Sequence, residues 1–248
     1  MMPLQIISET SLDETLGSAA LAEDVRASVH GGDCRVCGQP IPAGSAARLV
    51  AQAAPASRTV FVWAQHGSCG APTTFLPDQE SGVLVLSPHT YSCQMFSTQL
   101  PVEQPRRFWR RPTVRMVPIV GMVLHPSIDG ATVSALPDGT MPATLLQMWR
   151  AKGFQSMPDH DGTEAPAGTE ARLEGNLLRL RVDLTPYEIA LFPQEAAQLR
   201  EAGALHLFIA FGADPAALDA SQIHELAGSR DAVMAVLPLT VADPPTDS

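Results

Sequence analysis

The sequence predicts an α+β protein, and three observations carry that expectation. Two closely spaced pairs of soft ligands, Cys34-x-x-Cys37 and His66-x-x-Cys69, flank a strand-like segment. Such pairs are the usual form of a structural zinc site. Residues from Gly82 to Leu136 then form a series of short β-branched or apolar runs. Beyond Leu178, strand and helix patterns succeed one another in the order β-α-β-α-β. The expected architecture is an N-terminal zinc knuckle with β-hairpins, followed by a small C-terminal α/β unit.

Six segments follow from this reading. Residues 1–29 hold an N-terminal helix, 30–81 the knuckle, and 82–153 a β-rich region with a helix. Residues 154–176 form a polar loop or linker, 177–241 the α/β unit, and 242–248 a disordered tail. The chain has 248 residues, 45% hydrophobic and 17% charged, enough to bury a core. Its net charge of −10 argues against a general polyanion binder, because phosphate would be repelled. The N-terminus has no basic segment followed by an apolar run, and no stretch reaches the length of a membrane span. The expected compartment is cytoplasmic and reducing, which suits metal thiolates better than disulfides.

Residues 11–29 read as one helix. Ser11 and Glu14 form a Ser-x-x-Glu capping box, and Gly31-Gly32 stops the helix. Arg48-Leu-Val and Thr59-Val-Phe-Val-Trp63 read as a hairpin whose tip lies between Ala51 and Ser57. Val83–Ser87, Val114–Pro118 and Val120–Leu124 read as short strands, with Pro118 limiting its run to an edge or a bulge. Asp129-Gly130 between two apolar runs is a hairpin signal. Thr140–Lys152 reads as a helix with Pro142 in its first turn and Gly153 at its end. In the last segment, Leu178, Leu180, Val182 and Leu184 alternate with polar residues, as in a half-exposed strand. Pro193–Ala202 is a helix closed by Gly203, and Ala204–Phe211 is a buried strand. Asp214-Pro215 opens a further helix, and Ala232–Val241 is the last strand.

The ligand spacing has a physical reason. Cys-x-x-Cys wraps a tight turn that aims both sulfurs at one centre, and Gly38 supplies the left-handed backbone such turns often need. His66 and Cys69 are three apart, which brings them to one face if a helical turn starts there. Cys34, Cys37, His66 and Cys69 then complete a tetrahedral Cys3His shell. Redox thiols, a disulfide and unrelated cysteines are the competing readings. The first lacks a strand–motif–helix context, and the second lacks a secretory signal. His89 and Cys93 form a looser pair that could replace His66 or Cys69 or serve a second ion. The plainer reading of Cys93 is a small buried hydrophobe.

On Cys34, Cys37, His66 and Cys69, with Thr59–Trp63 leading into the second pair, residues 30–72 resemble treble-clef and LIM-like zinc knuckles. The gap between the pairs exceeds that of a LIM finger, and no second four-ligand module follows. The resemblance implies a structural zinc ion. It also implies a module of the kind that binds proteins, binds nucleic acids, or only holds structure.

One other stretch could carry chemistry. Arg106, Arg107, Phe108, Trp109, Arg110 and Arg111, with Arg115 beyond, place five of the sixteen basic residues in ten positions. Arginines interleaved with aromatics can stack bases or clamp phosphates. Alternatively the aromatics enter the core while the arginines neutralise acidic groups such as Glu164, Glu170 and Glu174. His125 and His206 lie in apolar runs and read as core histidines. No Gly-x-Ser-x-Gly, P-loop, His-Glu-x-x-His or Rossmann pattern is present. The expected function is therefore a non-catalytic zinc-binding adaptor with a protein partner. A nucleic-acid-associated regulator and an enzyme without a local signature are the two alternatives.

Overall fold

In the computed structural model the described residues are 5–7, 11–42, 44–54, 58–70, 91–103, 114–126, 128–156, 165–182, 185–212, 214–228 and 232–242. They combine helices and sheets, as an α+β chain should. The N-terminal half contains β1 (Gln5–Ile7), α1 (Ser11–Leu16), α2 (Ala19–Ser28), β2 (Ala46–Ala54) and β3 (Thr59–His66). Next come β4 (Ser92–Glu103), β5 (Val114–His125), β6 (Gly130–Ser134) and α3 (Leu145–Ala151). The remainder holds β7 (Glu170–Glu174), β8 (Leu177–Val182), β9 (Thr185–Ala190), α4 (Pro193–Ala202), β10 (Ala204–Ile209), α5 (Ala220–Gly228) and β11 (Val233–Ala242). A four-stranded sheet has the order β1-β2-β3-β6, and a seven-stranded sheet the order β4-β5-β10-β11-β7-β8-β9.

The expected single helix over 11–29 is two helices. Gly17 adopts φ +69, a left-handed conformation that ends α1. Ser18 then starts α2 by accepting a 3.3 Å hydrogen bond from Leu21 N. Leu12, Leu16, Leu21 and Val25 from both helices are buried in the core.

The hairpin of β2 and β3 is antiparallel, from Ala47 opposite His66 to Ala54 opposite Thr59. On its other side β3 pairs with β6, Trp63 facing Gly130. Here the expected Asp129-Gly130 hairpin is corrected. β5 and β6 lie in different sheets, so Asp129-Gly130 carries the chain between layers. Gly130 is required by closeness, since a Cβ there would fall on the Val62 carbonyl oxygen.

The two runs Val114–Pro118 and Val120–Leu124 form one strand, β5, antiparallel to β4 along its whole length. Pro118 faces Gln99 of β4, whereas the parallel pairing of β5 with β10 begins only at Gly121. Proline therefore sits where its missing N–H is not needed by a second neighbour. The last strands do not form a separate sheet. β10 joins β5, β11 joins β7 in parallel, and β7-β8-β9 is an antiparallel meander. The stretch expected to be a loop over 154–176 thus ends in a strand, β7.

Two helix starts also differ. α3 begins at Leu145, because Thr144 takes the N-cap and accepts from Gln147 N at 3.0 Å. Asp214-Pro215 opens only a three-residue 3-10 turn, Pro215–Ala217. The helix proper, α5, starts after Asp219, where Gln222 N donates to Asp219 and Asp219 N to Gln222, each at 2.9 Å. α4 is as expected, with Gly203 left-handed at its end.

The largest core cluster is continuous from Leu12 to Leu237 and takes side chains from both sheets and from α1 to α4, Cys34 included. The outer face of the meander carries ion pairs: Arg181 with Glu170 at 2.7 Å, Arg172 and Arg179 with Glu174 at 2.9 Å, and Arg179 with Glu188 at 2.9 Å. The arginines of these pairs are exposed and Glu174 is half-buried, so each pair contributes little to stability. No helix among the described residues is long and apolar enough to cross a membrane.

Candidate metal centre

Two turns at the base of the β2–β3 hairpin carry the four predicted ligands. The first is closed by backbone bonds. Cys34 N donates to Gln39 O and Gly38 N to Cys34 O, both at 2.8 Å, and Asp33 bridges to Pro40. Gly38 has φ +68, the left-handed value expected of it. The second turn follows β3 directly, with Cys69 N donating to His66 O at 3.1 Å. It brings His66 and Cys69 to one side without a helix among the described residues.

The four donor atoms lie within 4.8 Å of one another and could hold a metal ion. Cys34 Sγ is 3.8 Å from Cys69 Sγ. His66 Nδ1 is 3.4 Å from Cys37 Sγ and 3.6 Å from Cys69 Sγ. A tetrahedral ion with about 2.3 Å bonds to sulfur and about 2.0–2.1 Å bonds to nitrogen would place two sulfurs about 3.8 Å apart and sulfur and nitrogen about 3.6 Å apart. The three donor separations of 3.8, 3.4 and 3.6 Å are close to those of such an ion.

The surroundings prepare the ligands. His66 Nε2 lies 3.1 Å from Pro40 O. A proton on Nε2 therefore leaves Nδ1 as the free donor, the usual outer-shell arrangement of a ligating histidine. Cys34 is buried, and His66 N donates to its Sγ at 3.3 Å. Burial alone would raise the Cys34 thiol. The amides of His66, Cys37 and Val36, together with the Cys37 side chain, outweigh it and bring the group down to about 6. Cys69 is pushed up to about 11 by burial and by its neighbours Cys37 and Cys34. Three thiols in contact cannot all ionise cheaply, and a dication removes that conflict.

A third layer holds the first turn in place. Arg35 N donates to Ala64 O at 3.3 Å, and the Arg35 guanidinium lies 3.2 Å from Asp129 Oδ2. Asp129 O in turn accepts from Ala64 N at 2.8 Å. Gly32 packs against Asp129 so closely that a Cβ there could not fit. Asp129 was read as an ordinary turn residue, and its pairing across the fold leaves no local signal in the sequence.

Other predicted site residues stand apart. Cys93 is half-buried in β4, and burial with nearby Glu195 pushes its thiol up to about 11. It is not one of the clustered donors. His89, Arg106, Arg107, Trp109, Arg110 and Arg111 lie outside the described residues. Comparison with protein-family models, curated proteins and solved structures finds no match to this chain.

Proposed function

We propose that this chain is a non-catalytic, zinc-binding accessory or adaptor protein whose treble-clef-like knuckle supports a protein-interaction surface. The observation that carries this reading is the convergence of the Cys34, Cys37, His66 and Cys69 donor atoms to within 4.8 Å of one another. Three thiolates and an imidazole favour zinc over hard cations such as magnesium or calcium. Bound zinc would cross-link the 34–37 and 66–69 turns, and four protein ligands leave it no open position for water or substrate. Free cysteines in the site suit a reducing, cytoplasmic compartment.

The surface would be the outer side of the first turn. Val36, between two ligands, is 39% exposed, and Cys37 beside it is exposed as well. A photo-crosslinking residue at Val36 in the full chain, irradiated in its native cells, tests the reading. One discrete crosslinked partner, lost when Cys34→Ser removes the metal, is the expected result. A zinc-loaded protein giving no crosslink from Val36 would contradict the adaptor function and leave the metal site standing.

A further inference from the structure

β4 is the outer strand of the seven-stranded sheet, and among the described residues it pairs only with β5. Alternate residues of such a strand turn their N–H and C=O away from the one neighbour. No described residue bonds to the main chain of residues 94–97 on that side. Native proteins guard an edge of this kind with charge, proline or a cover. Residues 92–100, Ser-Cys-Gln-Met-Phe-Ser-Thr-Gln-Leu, hold neither charge nor proline.

Beside this edge lies an open groove of about 490 Å³, where a single water needs about 10–15 Å³. Five consecutive residues, 94–98, form one wall. Side chains of a strand alternate between the faces of its sheet, so a space lined by five in a row runs along the edge. The opposite wall is the start of α5, where Ala220 and Ser221 are small and exposed. Phe96 of β4 and Ile223 of α5 supply the apolar part. The Phe96 ring is held over Gly121, where a Cβ would collide with it, and stands 5.5 Å from Phe208. None of the described lining residues is charged.

A strand edge is a row of alternating donors and acceptors, and another extended main chain matches that row along its length. A small ligand would meet only one or two of these groups. A whole second sheet would have to pass α5, whereas a single strand lies between β4 and α5. We infer that the β4–α5 groove takes an extended peptide segment of a partner protein as an added strand beside residues 94–97, with one apolar side chain against Phe96 and Ile223. The net charge of −10 favours a segment without acidic residues. The groove shares no residue with the metal-ligand turns or Val36, so it stands or falls apart from the adaptor reading of that surface.

A random heptapeptide display library, panned on the full-length protein, supplies the probe, and an enriched peptide is then synthesised. Enriched sequences should carry apolar residues at alternate positions and no Asp or Glu. Titration should move the NMR amide resonances of residues 94–97. N-methylation of alternate peptide amides, one set at a time, should weaken binding about tenfold more for the set that faces β4. Ser221→Trp should weaken binding at least about tenfold at unchanged melting temperature, because Ser221 is exposed and borders the groove. Ala220→Trp repeats the block from the neighbouring position if the first variant melts early. No enriched peptide, unmoved amides at residues 94–97, or an equal response to both methylation sets would each overturn the inference. So would full affinity in both tryptophan variants, or a concentration-dependent dimer of this chain that shields the same amides.

Discussion

Arg35, inside the Cys34–Cys37 turn, lies 3.2 Å from Asp129 Oδ2, and the Asp129 side chain is only 2% exposed. The contact ties the candidate metal site to the crossing between the two sheets. Removing one partner of a buried pair leaves a charge without its counterion, at a cost of about 3–5 kcal/mol. Arg35→Ala should therefore lower stability by about 3 kcal/mol in urea unfolding. Arg35→Met combined with Asp129→Leu should cost less than the single change. A single variant within about 0.5 kcal/mol of wild type would show that the pair does not anchor the turn.

Gly130 provides a backbone test of the same region. A Cβ at this position would meet the Val62 carbonyl and stand 2.9 Å from Trp63 Cα, and neither backbone group can move aside cheaply. Gly130→Ala should cost about 2–4 kcal/mol and weaken the β3–β6 pairing. Gly175 has φ +59 but open space around it, so Gly175→Ala should cost only about 1 kcal/mol. Calorimetry of both variants checks the ranking, and equal losses would contradict it.

His125 predicts acid sensitivity. It is fully buried in β5, and burial first, then the neighbouring His30, lowers its pKa from 6.5 to about 4. Asp214 and the Ser28 and Phe211 backbones oppose that shift without cancelling it. Between about pH 6.5 and 4 the unfolded chain binds this proton and the folded chain does not, so stability falls as pH falls. The full effect is on the order of 3 kcal/mol, and it is absent above pH 6.5. The His125 ring resonances should stay neutral down to about pH 4.5, and His125→Gln should flatten this part of the pH dependence. A ring titrating near 6.5 would contradict the buried, neutral assignment.

The arginine stretch 106–111 is tested through salt. With a net charge of −10 around it, wild-type protein should show no salt-dependent oligonucleotide binding. Ala at Arg106, Arg107, Arg110 and Arg111 should instead lower the melting temperature. A complex whose affinity falls with a slope of about −0.7 per contacted phosphate, with Trp109 fluorescence quenched, would move the protein to nucleic-acid recognition.

Local features of this chain are legible in its sequence, and long-range ones are not. The four clustered donors could be picked out because each pair lies within one turn, where spacing dictates direction. α4 was legible for the same reason, its Pro193 start and Gly203 end being local. Gly17-Ser18 and Thr144 went the other way, because each competes locally with a longer helical pattern and only packing decides the outcome. The partners of β5, β10 and β11 were not legible. Their neighbours lie tens of residues away, and apolar runs of this kind fit a parallel or an antiparallel neighbour equally well. Asp129 was hidden because Arg35, its partner, is ninety-four positions earlier by residue number.

X-ray absorption at the zinc edge, on protein purified without chelator and with metal content measured on the same sample, tests the central claim most directly. The account predicts one zinc per chain with three sulfurs at about 2.3 Å and one nitrogen at about 2.0–2.1 Å. Cys34→Ser, Cys37→Ser or Cys69→Ser should each lose a sulfur from that shell or lose the metal. Metal-free protein with the same fold and stability, or zinc bound through oxygen ligands, would contradict it.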